Sequence, residues 1–213
     1  MTAIAVVDYG MGNLRSVSKA IEHVAPDAEV RVTSNPADIA AAERVVFPGQ
    51  GAMRDCMREM EARGLRPALL EAARTKPFLG ICIGLQMLFE QSEEGGGVAG
   101  LGVLPGQVRR FPAEAMHDAQ GERLKVPHMG WNNVHHAQEH ALWRDVADAE
   151  RFYFVHSYYV ETNVKELIVG SANYAFPFTC AVARDNIFAV QFHPEKSHTA
   201  GLQLLSNFVS WNP

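Results

Sequence analysis

A cysteine between two glycines is the residue in this sequence best suited to covalent chemistry. Cys82 stands between Gly80 and Gly84, with an apolar segment before it and a helix-like segment after it. This Gly-x-Cys-x-Gly pattern is the thiol counterpart of the nucleophile elbow, a sharp strand-to-helix turn that exposes the nucleophile. The glycines remove Cβ atoms that would crowd the turn, and a helix start beneath the sulfur favours thiolate. The alternative is a buried structural cysteine, which is our interpretation of Cys56 and Cys180.

A histidine and a glutamate far along the chain could complete such a site. His193 ends the apolar segment 187–192, and Glu195 follows across Pro194. A thiol nucleophile in acyl transfer usually needs a histidine and a third group that orients it. Pro194 favours an extended residue before it, so we expect His193 and Glu195 to share one face. Taken alone, such a pair is often incidental, but with Cys82 it predicts amide cleavage through a thioester.

Backbone N–H groups could stabilise the negative oxygen of that reaction. The Pro-Gly-Gln-Gly loop at 48–51 follows an apolar strand-like segment, and the N–H of Gln50 or Gly51 could point at the oxygen. Ile83, directly after the cysteine, could supply a second donor. One such donor contributes about 10²–10³ in rate. Taken alone, the loop is better interpreted as an ordinary Pro-Gly turn.

The elements that must position these groups predict a mixed α/β sheet. The first half alternates apolar strand-like segments with helical patterns, as βα units do, while the second half is rich in β-patterns with a hairpin turn at Asp185-Asn186. We therefore predict a mixed, mostly parallel central sheet flanked by helices, with antiparallel hairpins in the second half. No linker divides the chain, so a single domain over 1–213 is expected. The predicted helices are 14–24, capped by Asn13, then 53–64, 85–90, and 200–211 with Leu202, Leu205 and Val209 on one face.

Composition excludes several other classes of protein. The 213 residues are 47% hydrophobic and 20% charged with a net charge of −5, which supplies no general basic field for nucleic acid or anionic membranes. The charge-free runs 167–183 and 197–213 are interrupted by polar residues, and the N-terminus lacks a basic signal-peptide region. Three cysteines without CxxC spacing argue against disulfides and against a zinc site. They favour a cytoplasmic location. We expect no metal and no cofactor.

These motifs resemble those of the class I (triad) glutamine amidotransferases. The likeness rests on GICIGLQ at 80–86, PGQG at 48–51 and HPE at 193–195, and it extends over nearly the whole chain. It implies the flavodoxin-like class I amidotransferase fold. A narrower resemblance, to the glutaminase subunits of imidazole glycerol phosphate synthase, rests on the segments 8–13 (DYGMGN), 127–132 (PHMGWN), 154–159 (FVHSYY) and 193–197 (HPEKS).

The resemblance implies a role for each site residue. Cys82 would attack the side-chain amide of glutamine, His193 would move protons and Glu195 would orient the imidazole. The residues implied to contact glutamine are Gly49, Gln86, Glu94, His156, Ser157 and Tyr158. Ile83 and Gln50 depart from the family's usual residues, leucine and a small aliphatic residue, but both would act through backbone N–H groups.

The resemblance also implies a partner. Ammonia would pass to a (β/α)₈-barrel cyclase subunit in a heterodimer, where a phosphorylated ribulosyl aminoimidazole carboxamide becomes imidazole glycerol phosphate and an aminoimidazole carboxamide ribotide in histidine biosynthesis. No P-loop occurs that could form an acceptor site within this chain. Candidates for the surface facing the partner are Trp131, Tyr153, Tyr158 and Lys196, with core packing as the alternative for the aromatic residues.

Other functions remain open at this point. A glutaminase of the same class could serve another synthase, although the 8–13 and 127–132 segments argue against it. A cysteine peptidase or deglycase on a similar sheet would place its histidine soon after the cysteine, unlike His193. A non-catalytic binding subunit would not be expected to retain Cys82, His193 and Glu195 together.

Overall fold

The computed structural model describes residues 2–118 and 120–213. The strands in that part of the chain are β1 (Ala3–Val7), β2 (Glu29–Thr33), β3 (Arg44–Phe47), β4 (Phe78–Ile81), β5 (Phe89–Ser92), β6 (Val98–Ala99), β7 (Leu104–Arg110), β8 (His128–His136), β9 (Glu150–His156), β10 (Tyr158–Glu161), β11 (Ile168–Tyr174), β12 (Phe176–Arg184) and β13 (Ile187–Val190). The α-helices are α1 (Leu14–Val24), α2 (Pro36–Ala41), α3 (Met53–Ala62), α4 (Arg66–Thr75), α5 (Ile83–Met87) and α6 (His198–Ser210). Among these described residues, no helix is long and apolar enough to cross a membrane.

The strands form one sheet whose two halves differ in strand direction. The order along the main path is β2-β1-β3-β4-β13-β12-β10-β7-β5-β6. The first five strands of this path run parallel to one another. The pairs β13/β12, β12/β10 and β10/β7 are antiparallel, and β11, β8 and β9 extend from β12 through further antiparallel pairs. The expected parallel centre with antiparallel hairpins in the second half is therefore confirmed.

The parallel strands bring distant parts of the sequence to one edge of the sheet. Phe47 at the end of β3 pairs with Gly80 of β4, and Ile81 at the end of β4 pairs with Val190 of β13. Because neighbouring parallel strands end at the same edge, the segments after β3, β4 and β13 emerge side by side. This edge is where open α/β sheets place their ligands.

The helices follow the apolar patterns of the sequence in most cases. Asn13 caps α1 by accepting a hydrogen bond from the Ser16 N–H, and the apolar face of α3 (Met53, Cys56, Met57 and Met60) is buried as predicted. The predicted helix at 85–90 is wrong, because α5 ends at Met87 and the chain re-enters the sheet as β5. The last helix is rotated from the predicted face, and it buries Leu204 and Phe208 along with Leu205.

Candidate active site

Cys82 occupies the sharp turn between β4 and α5. Its backbone has φ 57° and ψ −110°, in the half of the map that residues with a Cβ seldom adopt. A Cβ on Gly84 would lie 1.8 Å from the carbonyl oxygen of Phe47, and one on Gly80 would lie 2.9 Å from the Ala189 Cβ. Both glycines are therefore required by close packing of the turn on its neighbours, which confirms the elbow. The Cys82 N–H donates to Val190 O at 2.8 Å and ties the elbow to β13.

Replacing Gly84 by alanine is expected to destabilise the fold by roughly 3 kcal/mol, since neither the Cβ nor the Phe47 backbone can move freely. The measurement is the free energy of unfolding in urea. Gly96 is the matched control, because a Cβ added there would meet open space and only its φ of 85° opposes alanine. Alanine at this position is expected to cost only about 1 kcal/mol. Equal losses at the two positions would contradict the packing argument.

His193 and Glu195 form a buried pair beside this turn. The His193 Nδ1–H donates to Glu195 Oε1 at 2.8 Å, and only 5% and 2% of the two side chains is exposed. His193 is extended as predicted, with φ −105° and ψ 94°. The expected extended chain through Glu195 is wrong, because Pro194–Lys196 is a 3₁₀ turn. The Ser197 hydroxyl donates to His193 O at 2.6 Å and accepts from the Tyr153 N–H at 3.0 Å, which fixes the turn against β9.

Opposing electrostatic effects act on the imidazole. Burial lowers the pKa of His193, but the Cys82 sulfur and the Glu195 carboxylate outweigh it and raise the pKa to about 10. Within residues 2–118 and 120–213, the Nε2 atom of His193 is buried and has no hydrogen-bond partner. His193 and Cys82 line the same cavity. The free nitrogen is therefore available to exchange a proton with a group bound at the sulfur.

The loop 48–51 is held from behind by two side chains. The Tyr9 hydroxyl donates to Pro48 O at 2.9 Å, and the Cys56 thiol donates to Gln50 O at 3.5 Å. Burial, as the largest cause, raises the pKa of Cys56 to about 12, so it stays a thiol and keeps its proton for this bond. A Cβ on Gly49 would lie 1.7 Å from the Tyr9 hydroxyl oxygen, so Gly49 allows this packing.

Two neutral histidines hold one carbonyl at the site wall. Burial is the main cause that lowers the pKa of His156 to about 3 and that of His128 to about 4. Since a carbonyl oxygen only accepts, the His156 Nδ1–H must donate to Tyr158 O at 2.8 Å. His128 Nδ1–H then donates to His156 Nε2 at 2.9 Å, which leaves His128 Nε2 to accept from the Asn132 amide at 3.3 Å. The network thus assigns both tautomers.

These groups surround a cavity of about 340 Å³, a size typical of small-molecule sites. Its lining residues are Gln50, Gly51, Cys82, Ile83, Gln86, Glu94, Pro127, Val155, His156, Ser157, Tyr158 and His193. Most residues expected to contact a ligand therefore meet here. Gly49 is not among the lining residues, and a Cβ there would meet the Tyr9 hydroxyl. Glu94 Oε2 accepts from the Met53 N–H at 2.6 Å at the start of α3.

Sequence reasoning missed several members of the site. Tyr9 supports the loop 48–51, His128 supports His156, and Gln191 contacts both Gln86 and the Cys82 sulfur. Pro127 and Val155 line the cavity. The sequence signals for these residues were the segments 8–13 and 127–132 and a polar residue, Gln191, within an apolar segment. Such signals mark a position but do not show what its side chain contacts.

Three of the four residues predicted to face a partner lie together next to the site. Trp131 is 37% exposed, and its ring lies 6.0 Å from that of Tyr153. Lys196 Nζ lies 5.8 Å above the Tyr153 ring, and His198 stacks on Trp131 at 4.8 Å. Tyr153 O accepts from the His193 N–H at 2.9 Å, so this surface connects directly to the buried pair. Tyr158 instead lines the cavity.

The comparisons with known proteins agree with this geometry. A family model described as glutamine amidotransferase class-I matches residues 5–211. The imidazole glycerol phosphate synthase subunit HisH of Thiobacillus denitrificans is 71% identical over 99% of this chain and 92% of its own, and that of Nitrosospira multiformis is 66% identical over the full length of both chains.

Solved structures share the fold at lower identity. A crystal structure of a glutamine amidotransferase has a TM-score of 0.70 at 15% identity and covers 97% of each chain, and the structure of PurLQS from Thermotoga maritima has a TM-score of 0.69 at 17% identity, with 98% of this chain and 97% of that chain covered. The expected class I amidotransferase fold is thereby confirmed. The chain belongs to the class-I glutamine amidotransferases and, within them, to the family of HisH subunits of imidazole glycerol phosphate synthase.

Proposed function

We propose that this chain is the glutaminase subunit of imidazole glycerol phosphate synthase, hydrolysing glutamine to glutamate and ammonia for a cyclase subunit. The observation that carries the proposal is the meeting of Cys82, at a strained elbow, with the buried pair of His193 and Glu195 at one cavity. The names of full-length relatives support the choice of synthase. We further propose that 1–213 acts as one amidotransferase domain in the cytoplasm.

The first half of the reaction forms a thioester. The Cys82 thiolate adds to the side-chain amide carbon of glutamine, and the carbonyl oxygen takes up the negative charge. The backbone N–H of Ile83 lies at the start of α5, before the first N–H that bonds within the helix, so it is free to bind that oxygen. The N–H of Gln50 or Gly51 would be the second donor. Protonated His193 then gives its Nε2 proton to the leaving nitrogen, so the C–N bond breaks and ammonia departs.

The second half regenerates the enzyme. Neutral His193 takes a proton from water as the water oxygen adds to the thioester carbon. The C–S bond then breaks, the thiolate re-forms and glutamate leaves, while the imidazole keeps the proton it gained. Glu195 accepts the Nδ1–H throughout, which fixes the tautomer and stabilises the imidazolium.

The substrate-facing roles follow from position in the cavity. Gln86, Ser157 and Tyr158 would bind the polar groups of glutamine, with Glu94 available for its ammonium group. His156 would act through the Tyr158 carbonyl that it holds, and Gly49 through the loop it allows to pack against Tyr9.

The partner would dock on the exposed aromatic surface beside the site. A second subunit bound to this surface would contact Trp131, Tyr153 and Lys196. Tyr153 is hydrogen-bonded to the backbone of His193, so such contact would act on the turn that carries His193. We propose a heterodimer with a (β/α)₈-barrel cyclase, in which ammonia leaves the cavity toward the barrel. Aromatic residues with a nearby cation are common anchors of such interfaces.

Glutamine hydrolysis with and without the partner tests this function. The isolated chain is expected to hydrolyse glutamine very slowly, because the glycines of loop 48–51 leave its N–H groups free to turn away from the oxygen until a partner docks. Addition of the cyclase subunit with its phosphorylated ribulosyl substrate should raise the rate by at least about 10², the effect of one oxyanion donor. Full activity without any partner would overturn this gating, and absence of both hydrolysis and co-purification with the cyclase would overturn the function.

A further inference from the structure

Gln191 is a fully buried polar residue that the mechanism above does not use. Its side chain has no solvent exposure, and its backbone N–H donates to Cys180 O at 2.8 Å. A buried amide is costly unless its donors and acceptor are bonded. The partners of this amide therefore indicate why it is present two residues before His193.

The orientation of the Gln191 amide is fixed by a carbonyl that can only accept. Gln86 Nε2 donates to Tyr158 O at 3.2 Å and to Gln191 Oε1 at 2.9 Å. If Gln86 were turned over, two oxygens would face each other at both contacts. Gln191 must then present its oxygen to Gln86 and its NH₂ group to Cys82.

The NH₂ group of Gln191 lies at the sulfur. Gln191 Nε2 is 3.7 Å from Cys82 Sγ, within the range of a hydrogen bond to sulfur. A donor facing a sulfur atom stabilises thiolate over thiol, because a bond to an ion is roughly twice as strong as one to a neutral group. The same donor also helps the sulfur depart when a thioester is cleaved.

We propose that Gln191 is a further catalytic residue, which donates an N–H to the Cys82 sulfur, and that Gln86 is a positioning residue that holds the Gln191 amide in that orientation. The catalytic role of Gln191 rests on the proposed glutaminase function, because in that reaction the Cys82 thiolate first attacks glutamine and later leaves from the thioester. The positive charge of the His193 imidazolium in the same cavity and the N–H of the Gln191 amide then both stabilise the negative charge on sulfur.

Alkylation of Cys82 by iodoacetamide tests the proposal without glutamine or partner. The rate is measured against pH, with the Cys82 peptide followed by mass spectrometry. In Gln191→Met, an uncharged side chain of similar length, the pH of half-maximal rate is expected to rise by about one unit, because one hydrogen bond to a charged group is lost. Below the half-maximal pH the rate then falls about 10-fold, while the high-pH plateau is kept.

Two further variants sharpen the result. Gln86→Leu should shift the profile in the same direction by a smaller amount, because the Gln191 amide loses its fixed orientation. Asn207→Leu is the control, since Asn207 is an equally buried amide whose NH₂ donates to Leu142 O and Arg144 O instead. It should leave the profile of Cys82 unchanged.

An unchanged profile in Gln191→Met would overturn the proposal. If that variant fails to fold cooperatively, Gln191→Glu serves instead, because it keeps an oxygen for Gln86. It should raise the half-maximal pH by more than one unit, and no rise would overturn the proposal equally. A shift in these variants together with no glutamine hydrolysis by the wild-type complex would retain the role of Gln191 and reject the proposed function.

Discussion

The Cys82→Ala variant is expected to lose glutamine-dependent synthase activity by roughly 10⁵-fold, because Cys82 carries the thiol that lines the cavity and a methyl group cannot form the thioester. Activity supported by added ammonia should persist in the complex, since ammonia enters after the step that needs the sulfur. The measurement is formation of the cyclase product with either nitrogen source.

Cys180→Ala is the matched control for this loss. Cys180 is also a buried free thiol, and it lies outside the cavity. Both activities should survive there, at a cost in stability of about 1 kcal/mol for the smaller side chain. Glutamine hydrolysis that persisted in Cys82→Ala would remove the cysteine from the mechanism, whereas loss of the ammonia-dependent activity would point to a damaged complex.

The Glu195→Gln variant is expected to have the second-largest effect, a fall in kcat of about 10²–10⁴. The buried carboxylate accepts the Nδ1–H of His193 at 2.8 Å, whereas an amide could present its NH₂ group there and favour the wrong tautomer. The geometry would remain, but the nitrogen facing the cavity would carry the proton at the wrong stage.

The same variant should also change the pH dependence. Burial lowers the pKa of His193, but the Cys82 sulfur and Glu195 outweigh it and raise this pKa to about 10. The imidazolium needed for ammonia release is therefore present below this pH and lost as the pH rises through it. Without the carboxylate the pKa of His193 falls, so the alkaline limb of kcat should move to lower pH by about one unit or more.

A profile of kcat from pH 6 to 10.5 measures this shift. Glu166→Gln is the control, because Glu166 is an exposed carboxylate away from the cavity and should not alter the profile. An alkaline limb that stayed in place in Glu195→Gln would mean that Glu195 does not tune His193.

The elements that could be predicted were those whose pattern is local and strong. The apolar face of α3 and the Asn13 cap of α1 depend only on residues one or two turns apart, so sequence spacing suffices to find them. Strand β2 was missed because it lies at the edge of the sheet and leaves Glu29 and Arg31 exposed, which removes the apolar signal. Helix α5 was placed too late because pairing of β5 with β7 overrides the helical pattern after Met87.

The site shows the same division between local and distant information. By itself, the sequence determined the position of the elbow at Cys82, since Gly80 and Gly84 mark it within five residues, and it also indicated His193 and Glu195 as candidates. Only the tertiary structure decided that His193 reaches Cys82, because β13 lies parallel to β4 and both end at one edge. The turn that seats Glu195 and the amide of Gln191 at the sulfur were likewise decided there. The physical reason is that hydrogen bonds between distant segments depend on strand register and on burial. Neither can be obtained from the spacing of residues within one short segment.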